Sequence, residues 1–137
     1  MNKYRFIIGI DTGVNTGFAV WDRQEKKLLE VCCIEIHRAM LSVNYRREDG
    51  ILVRVEDARQ RTWFGKNSNE KLQGAGSVKR DCKIWEDFLN DLGVDFEMVA
   101  PKNNKTKLDA KKFKMITGWK ETTNEHSRDA AMLVFGF

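Results

Sequence analysis

The hydrophobic and polar positions of the chain alternate in blocks that predict an α/β protein. Short apolar runs, bounded by turn-forming or charged residues, are rich in β-branched and aromatic side chains, which is typical of strands. Five strands are predicted, at residues 5–10, 16–21, 28–36, 51–56 and 94–100.

The connections between these strands predict how they pair. Short turns at 12–15 and 22–27 join the first three strands, so we expect an antiparallel meander. The stretch from His37 to Glu48 has helical composition and Gly50 ends it, which gives a crossover that places the fourth strand parallel to the first. The expected fold is a mixed five-stranded sheet, a three-strand antiparallel meander plus parallel strands, flanked by helices.

Further helices are expected beyond the fourth strand. Apolar residues recur at helical spacing over 78–92. The last helix is expected to begin near Thr122, because the spacing from Thr122 to Glu125 fits a capping box, and to run to the C-terminus. A short lysine-rich helix is expected at 108–116, and a mobile loop at 59–76, where the apolar pattern is lost.

Composition limits the class of protein. The 137 residues are 42% hydrophobic, and no apolar run approaches the roughly 20 residues that span a bilayer, so we expect one soluble domain over 1–137 without a membrane partner. The N-terminus lacks a secretory cleavage site, and three cysteines without Cys-x-x-Cys spacing indicate a reducing compartment. A cytoplasmic location, in a bacterial or phage-infected cell, is therefore expected. The net charge of +4 is compatible with a polyanionic partner.

Three separated acids are the strongest candidates for chemistry. Asp11 ends the first strand, Glu56 ends the fourth, and Asp129 lies in the last helix. Neighbouring parallel strands run about 4.8 Å apart, so Asp11 and Glu56 can reach a common ion. Glu125 and His126 share the helix face of Asp129. Oxygen ligands with one imidazole suit Mg²⁺ or Mn²⁺, and two such ions can activate water for phosphodiester hydrolysis.

Each acid also has a structural alternative. Glu56 could be an edge carboxylate paired with Arg54 or Arg59, and Asp57, on the opposite face of the strand, is the better candidate for such a pair. Glu125 could simply close the capping box. His126 and Asp129 could serve the helix dipole alone, for which acids in the first turn are favourable.

These motifs resemble a known family. The strand ending in Asp11-Thr12-Gly13, the strand ending in Glu56, and His126-x-x-Asp129-Ala130-Ala131 resemble the RuvC-like Holliday-junction resolvases of the RNase H-like, or retroviral-integrase, superfamily. The short chain resembles a compact phage-type member. The resemblance implies an RNase H-like fold and a homodimer that binds a four-way DNA junction and nicks it symmetrically with Mg²⁺ or Mn²⁺, two ions per site.

The resemblance also implies roles for individual residues. Asp11, Glu56 and Asp129 would be the catalytic metal-binding acids. His126 stands where many members carry a further Asp, so its role as ligand or proton-transfer group is open, and Glu125 is a further candidate ligand. Residues 78–92 are the candidate dimer helix. Candidate DNA contacts are Arg59, Arg61, Trp63, Phe64, Lys66, Lys105, Lys107, Lys111 and Lys112.

Other interpretations of these residues remain open. Trp63-Phe64 could pack on the core instead of stacking on an unpaired base, and the lysines could form a solvated helix face. An RNase H-like nuclease acting on RNA–DNA hybrid or on other branched DNA fits the same ligands, as does a DNA-binding module of this fold without catalysis. Gly9-Ile10-Asp11 also resembles the phosphate turn of actin-like ATPases, but those proteins need a duplicated domain.

Overall fold

A five-stranded mixed sheet lies at the centre of the protein. The computed structural model describes residues 3–60, 69–101 and 107–137, without the side chains of 69–75. The strands are β1 Phe6–Asp11, β2 Asn15–Asp22, β3 Lys27–Glu35, β4 Ile51–Glu56 and β5 Asp95–Val99. The helices are α1 Ile36–Tyr45, α2 Asn69–Leu92, α3 Ala110–Thr117 and α4 Glu125–Met132, with a 3₁₀ turn at Ala58–Gln60.

The strand order is β3-β2-β1-β4-β5. The first three strands form the predicted antiparallel meander. The α1 crossover brings β4 parallel to β1, and β5 pairs parallel to β4. The predicted α/β fold class, a mixed five-stranded sheet flanked by helices, is confirmed.

Alternation along the strands supplies two cores, one on each face of the sheet. Ile8 and Val53 point to a core shared with α1 and α2, where Trp85 is fully buried. Ile7 points to the opposite core, which α3 and α4 cover with Phe113 and small α4 residues. Within the described residues, no helix has the length and apolar character needed to cross a membrane.

The ends of three helices differ from the sequence-based expectations. The α1 helix ends at Tyr45, before the predicted Glu48. The α2 helix begins at Asn69, so the prediction of a loop was wrong for residues 69–76, while 61–68 of that loop lie outside the described residues. The first turns of α2 contain two glycines and no apolar stripe, which is why periodicity detects only the later turns. The α4 helix ends at Met132 and is followed by turns.

Candidate metal centre

Three carboxylates meet at one edge of the sheet. Asp11 and Glu56 follow the paired residues Ile10 and Val55, so the carboxyl ends of two adjacent parallel strands present them side by side. Asp129 reaches the same place from α4, and ligand oxygens of the three acids all lie within 4.8 Å of one another. The structure therefore brings together the three acids that the sequence singled out.

Two glycines allow α4 to approach the sheet closely enough for this meeting. An ideal Cβ at Gly9 of β1 would lie 2.2 Å from the carbonyl oxygen of Ala130, and one at Gly17 of β2 would lie 2.0 Å from that of His126. Real Cβ atoms do not approach oxygen so closely, so any larger residue would push the helix away. The α4 backbone thus rests directly on β1 and β2.

The start of α4 is set by Asn124, not by Thr122 as predicted. The Asn124 side chain accepts a hydrogen bond from the Ser127 backbone N–H at 2.8 Å, and the Ser127 hydroxyl lies 3.0 Å from the Asn124 N–H. This is a capping box in which Ser127 takes the position expected of Glu125. Glu125 is the first helical residue, which aims Asp129, one turn later, at the sheet edge.

The other two predicted ligands of α4 have different surroundings. His126 Nδ1 lies 3.0 Å from Oδ2 of Asp11, so the imidazole contacts the acid cluster directly. Glu125 forms an exposed ion pair with Lys107 at 3.3 Å. Its carboxylate is outside the group of three acids whose oxygens converge.

The electrostatics of the cluster suit a cation. Burial raises the pKa of Asp11, and hydrogen bonds with His126 and Glu56 offset only part of that rise. Burial also raises the pKa of Asp129, and the charge of Glu56 raises it further. The charge of Asp129 likewise raises the pKa of Asp11, so repulsion within the cluster opposes ionisation of these two acids. A bound divalent cation would reverse this effect, and three converging carboxylates are the donors that Mg²⁺ and Mn²⁺ prefer. The residues present fit such an ion.

Asp57, the other acid at the end of β4, has a structural partner. Its carboxylate accepts from Arg59 Nε at 2.7 Å and from Gln60 at 3.1 Å, and its side chain is buried. Arg59 also reaches Glu86 of α2 at 3.4 Å. The interpretation of Asp57 as a structural acid is confirmed. Arg54 was the other candidate partner of Glu56, and it forms an ion pair with Glu97.

Four of the nine predicted DNA contacts lie among the described residues, and the other five do not. Lys111 and Lys112 are exposed on α3, Lys107 is exposed beside Glu125, and Arg59 is held by the two acids named above. The remaining candidates lie outside the described residues; they are Arg61, Trp63, Phe64, Lys66 and Lys105.

Sequence reasoning missed a cleft next to the acids. A cavity of about 290 Å³ is lined by Glu56 and Asp129 together with Arg54, Lys107, Leu133 and Phe137. The strand alternation puts Arg54 and Glu56 on one face of β4, so the β4 side of this cleft could have been predicted from the sequence. The contribution of Phe137 depends on how the chain turns after α4, and no local pattern predicts that.

Comparisons with known proteins support the fold. No model of a known protein family matches the sequence, and no curated protein matches it. Solved structures do match, among them one described as T. thermophilus RuvC in complex with Holliday junction substrate. That chain is 21% identical, with a TM-score of 0.60, and the alignment covers 93% of this chain and 89% of the other. The likeness shows that this chain has the fold of that structure, which is the RNase H-like fold predicted from the sequence.

Proposed function

We propose that this protein is a metal-dependent, structure-selective endodeoxyribonuclease that nicks four-way DNA junctions. The observation that carries the proposal is the convergence of Asp11, Glu56 and Asp129 within 4.8 Å at the edge of an RNase H-like sheet. The similar solved structure is a RuvC bound to Holliday junction substrate, which supports branched DNA as the substrate.

The three acids would hold the ions, Mg²⁺ or Mn²⁺, two per site. When bound, such ions supply an activated water and stabilise the charge on the leaving oxygen. Asp11, Glu56 and Asp129 would hold the ions between β1, β4 and α4 and offset part of their positive charge. His126 Nδ1 contacts Asp11, so the second ring nitrogen is the one available to exchange a proton with the reacting strand.

Neighbouring cations would guide the DNA to these acids. Lys107 lines the cleft beside Glu56 and Asp129, and Lys111 and Lys112 extend from α3 into solvent. Phosphate contacts of this kind supply affinity that does not depend on sequence. A homodimer would match the twofold symmetry of a junction and make two nicks, with α2 as the proposed contact helix.

Nicking of labelled DNA tests the proposal. A four-way junction, a linear duplex and an RNA–DNA hybrid are incubated with Mg²⁺ or with chelator, using the wild type and Asp11→Asn. We expect paired nicks in the junction alone, only with Mg²⁺, and none with Asp11→Asn although that variant still binds DNA. Asp95→Asn is the matched control, because Asp95 forms an exposed pair with Lys3 at the start of β5.

The other outcomes separate the alternatives. Cleavage of the hybrid alone would assign the protein to the RNases of this fold. Junction binding without cleavage by the wild type would favour a DNA-binding module that lacks catalysis. Unchanged cleavage by Asp11→Asn, or loss of its DNA binding, would contradict the role given to Asp11.

A further inference from the structure

The cleft beside the acids has walls of two kinds. Glu56 and Asp129 of the metal centre form one side, and Lys107 adds a positive charge. The remaining surface is largely apolar and comes from the end of β5 and the turns after α4, including Val99 and Leu133. The cavity, about 290 Å³, lies at the lower end of the roughly 300–1,000 Å³ of small-molecule sites. It is too small for a duplex and has room for a single base.

A fixed aromatic surface borders the cleft. The Arg54 guanidinium is held by the Leu133 carbonyl, which accepts from Nε at 2.8 Å, and by the ion pair with Glu97. Its central carbon lies 4.1 Å from the centre of the Phe137 ring, so the cation orients that ring. Phe137 is nevertheless 52% exposed, which leaves ring surface accessible. The contacts of Arg54 with Leu133, Glu97 and Phe137 therefore hold the aromatic wall of the cleft in place.

We propose that this cleft receives one unpaired nucleobase of the strand that lies across the acids, stacked against Phe137. The inference rests on the proposed nuclease function and extends it, because it adds a base-binding subsite next to the scissile phosphate. The apolar walls suit the flat face of a base, while Lys107 and the metal centre suit the attached phosphates. A paired base cannot enter, so the subsite favours DNA whose strands separate near the cut.

Binding of a strand with a single base tests the subsite without relying on cleavage. The probe is a labelled strand of about ten abasic nucleotides that carries one thymine, compared with the wholly abasic strand, in Ca²⁺ and again in chelator. One thymine selects whichever register brings it into the cleft. We expect the base to tighten binding to the wild type by roughly 5- to 150-fold, the range for one base stacked on an aromatic side chain.

Three variants locate the effect. Phe137→Ala should abolish the gain from the base, and Phe137→Trp should retain it because the ring is preserved. Tyr45→Ala is the control, since Tyr45 is an exposed aromatic residue of α1 on the other face of the sheet. Circular dichroism checks that each variant is folded.

The result separates this inference from the proposed function. An equal gain in the wild type and Phe137→Ala, no gain in the wild type, or loss of the gain in Tyr45→Ala would overturn the subsite. Junction nicking without a base-dependent gain rejects the subsite alone. A gain that depends on Phe137 in a protein that nicks no DNA rejects the nuclease proposal, and with it the catalytic context of the subsite, but keeps the base-binding cleft.

Discussion

The backbone of His126 occupies the space that a side chain at Gly17 would need. The His126 carbonyl oxygen lies 2.0 Å from an ideal Cβ at that glycine. This contact fixes the start of α4 against β2. The β2 strand is the neighbour of β1, which ends in Asp11. The position of Asp129 relative to Asp11 therefore depends on Gly17, which has no side chain.

Replacing Gly17 with Ala is expected to disturb both stability and metal binding. The methyl group would overlap the His126 backbone, so α4 would have to move away from the sheet. Overpacking of this kind costs about 1–3 kcal/mol or more of unfolding free energy. Urea unfolding measures this loss, and Mn²⁺ titration by calorimetry should show weaker binding.

A second glycine provides the matched control for this substitution. Gly76 lies in α2, and an added Cβ would meet nothing within 4 Å. Gly76→Ala should therefore raise the unfolding free energy by about 0.5–1 kcal/mol through helix propensity, and leave Mn²⁺ binding unchanged. Equal effects of the two substitutions would contradict the close-contact argument.

Much of the sheet could be predicted because its signals are local. Strand alternation, short turns and the α1 crossover together specify an antiparallel meander with a parallel β4, and the parallel pairing then brings Asp11 to Glu56. Alternation also separates Glu56 from Asp57 by face. The separation of Glu56 from Asp57 depends only on neighbouring residues, whereas the meeting of Asp11 with Glu56 follows from the connections between the strands.

The start of α4 could not be predicted because the deciding contact is tertiary. Thr122 with Glu125 and Asn124 with Ser127 are both plausible caps at the same spacing. The capping hydrogen bonds form at Asn124, where His126 meets Gly17 of the distant β2 strand. The cleft wall at Phe137 likewise depends on Arg54, which no short-range pattern pairs with it.

Removal of the Asp57 carboxylate should destabilise the protein. Burial alone raises the pKa of Asp57, but hydrogen bonds from Arg59 and Gln60 outweigh it and leave the pKa below its ordinary value. Asp57→Ala should lower the unfolding free energy by about 1.5–3 kcal/mol at pH 7, the typical value of hydrogen bonds to a charged group. Because the pKa is lowered on folding, this stabilisation is present above the ordinary pKa of 3.8 and is lost as pH falls below it.

Urea unfolding at neutral and acidic pH measures this effect. The control is Arg38→Ala, which breaks the exposed pair with Glu35 and should change the unfolding free energy by less than about 1 kcal/mol. An Asp57→Ala protein as stable as the control variant would show that the Asp57–Arg59 pair contributes little.

The proposed dimer predicts that Ile84 is buried between subunits. Ile84 belongs to α2 and is 44% exposed in the single chain. Ile84→Arg would place an unpaired charge in the interface and should weaken dimerisation by about 10-fold or more. Sedimentation velocity over a range of concentrations measures this. Leu41→Arg, on the exposed side of α1, should leave association unchanged, so equal effects of both substitutions would argue against α2 as the contact helix.

The α3 lysines should contribute to the salt dependence of DNA binding. If Lys111 and Lys112 each neutralise a phosphate, Lys111→Ala and Lys112→Ala should each reduce the slope of log K against log salt by about 0.9 on duplex arms. Fluorescence anisotropy at several salt concentrations measures the slope. Lys27→Ala should not change it, because Lys27 lies at the end of β3 away from Asp11 and the other acids. Unchanged slopes for both α3 variants would identify these lysines as a solvated helix face.

The raised pKa values of the acid cluster predict how stability depends on pH in metal-free protein. Asp11 and Asp129 bind protons more tightly in the folded than in the unfolded chain, because burial raises the pKa of both above 3.8. The folded state therefore holds more protons above pH 3.8, and this contribution to the unfolding free energy falls as pH rises through the raised pKa values. Asp129→Asn removes one of these charges, so without metal this variant should be more stable than the wild type at pH 7.

Bound Mn²⁺ should reverse the order of stability, so that the wild type becomes more stable than Asp129→Asn. Because the ligands must be deprotonated, Mn²⁺ binding strengthens with pH, and at about 100 times its Kd it stabilises the wild type by about 2.7 kcal/mol. Asp129→Asn should gain much less. Thermal unfolding of both proteins at pH 4 and pH 7, with Mn²⁺ and with chelator, measures the two effects, with Asp95→Asn as a control that responds to Mn²⁺ like the wild type. A variant that is less stable than the wild type in chelator at pH 7 would contradict the repulsion among the acids, and equal Mn²⁺ stabilisation of both would remove Asp129 from the metal centre.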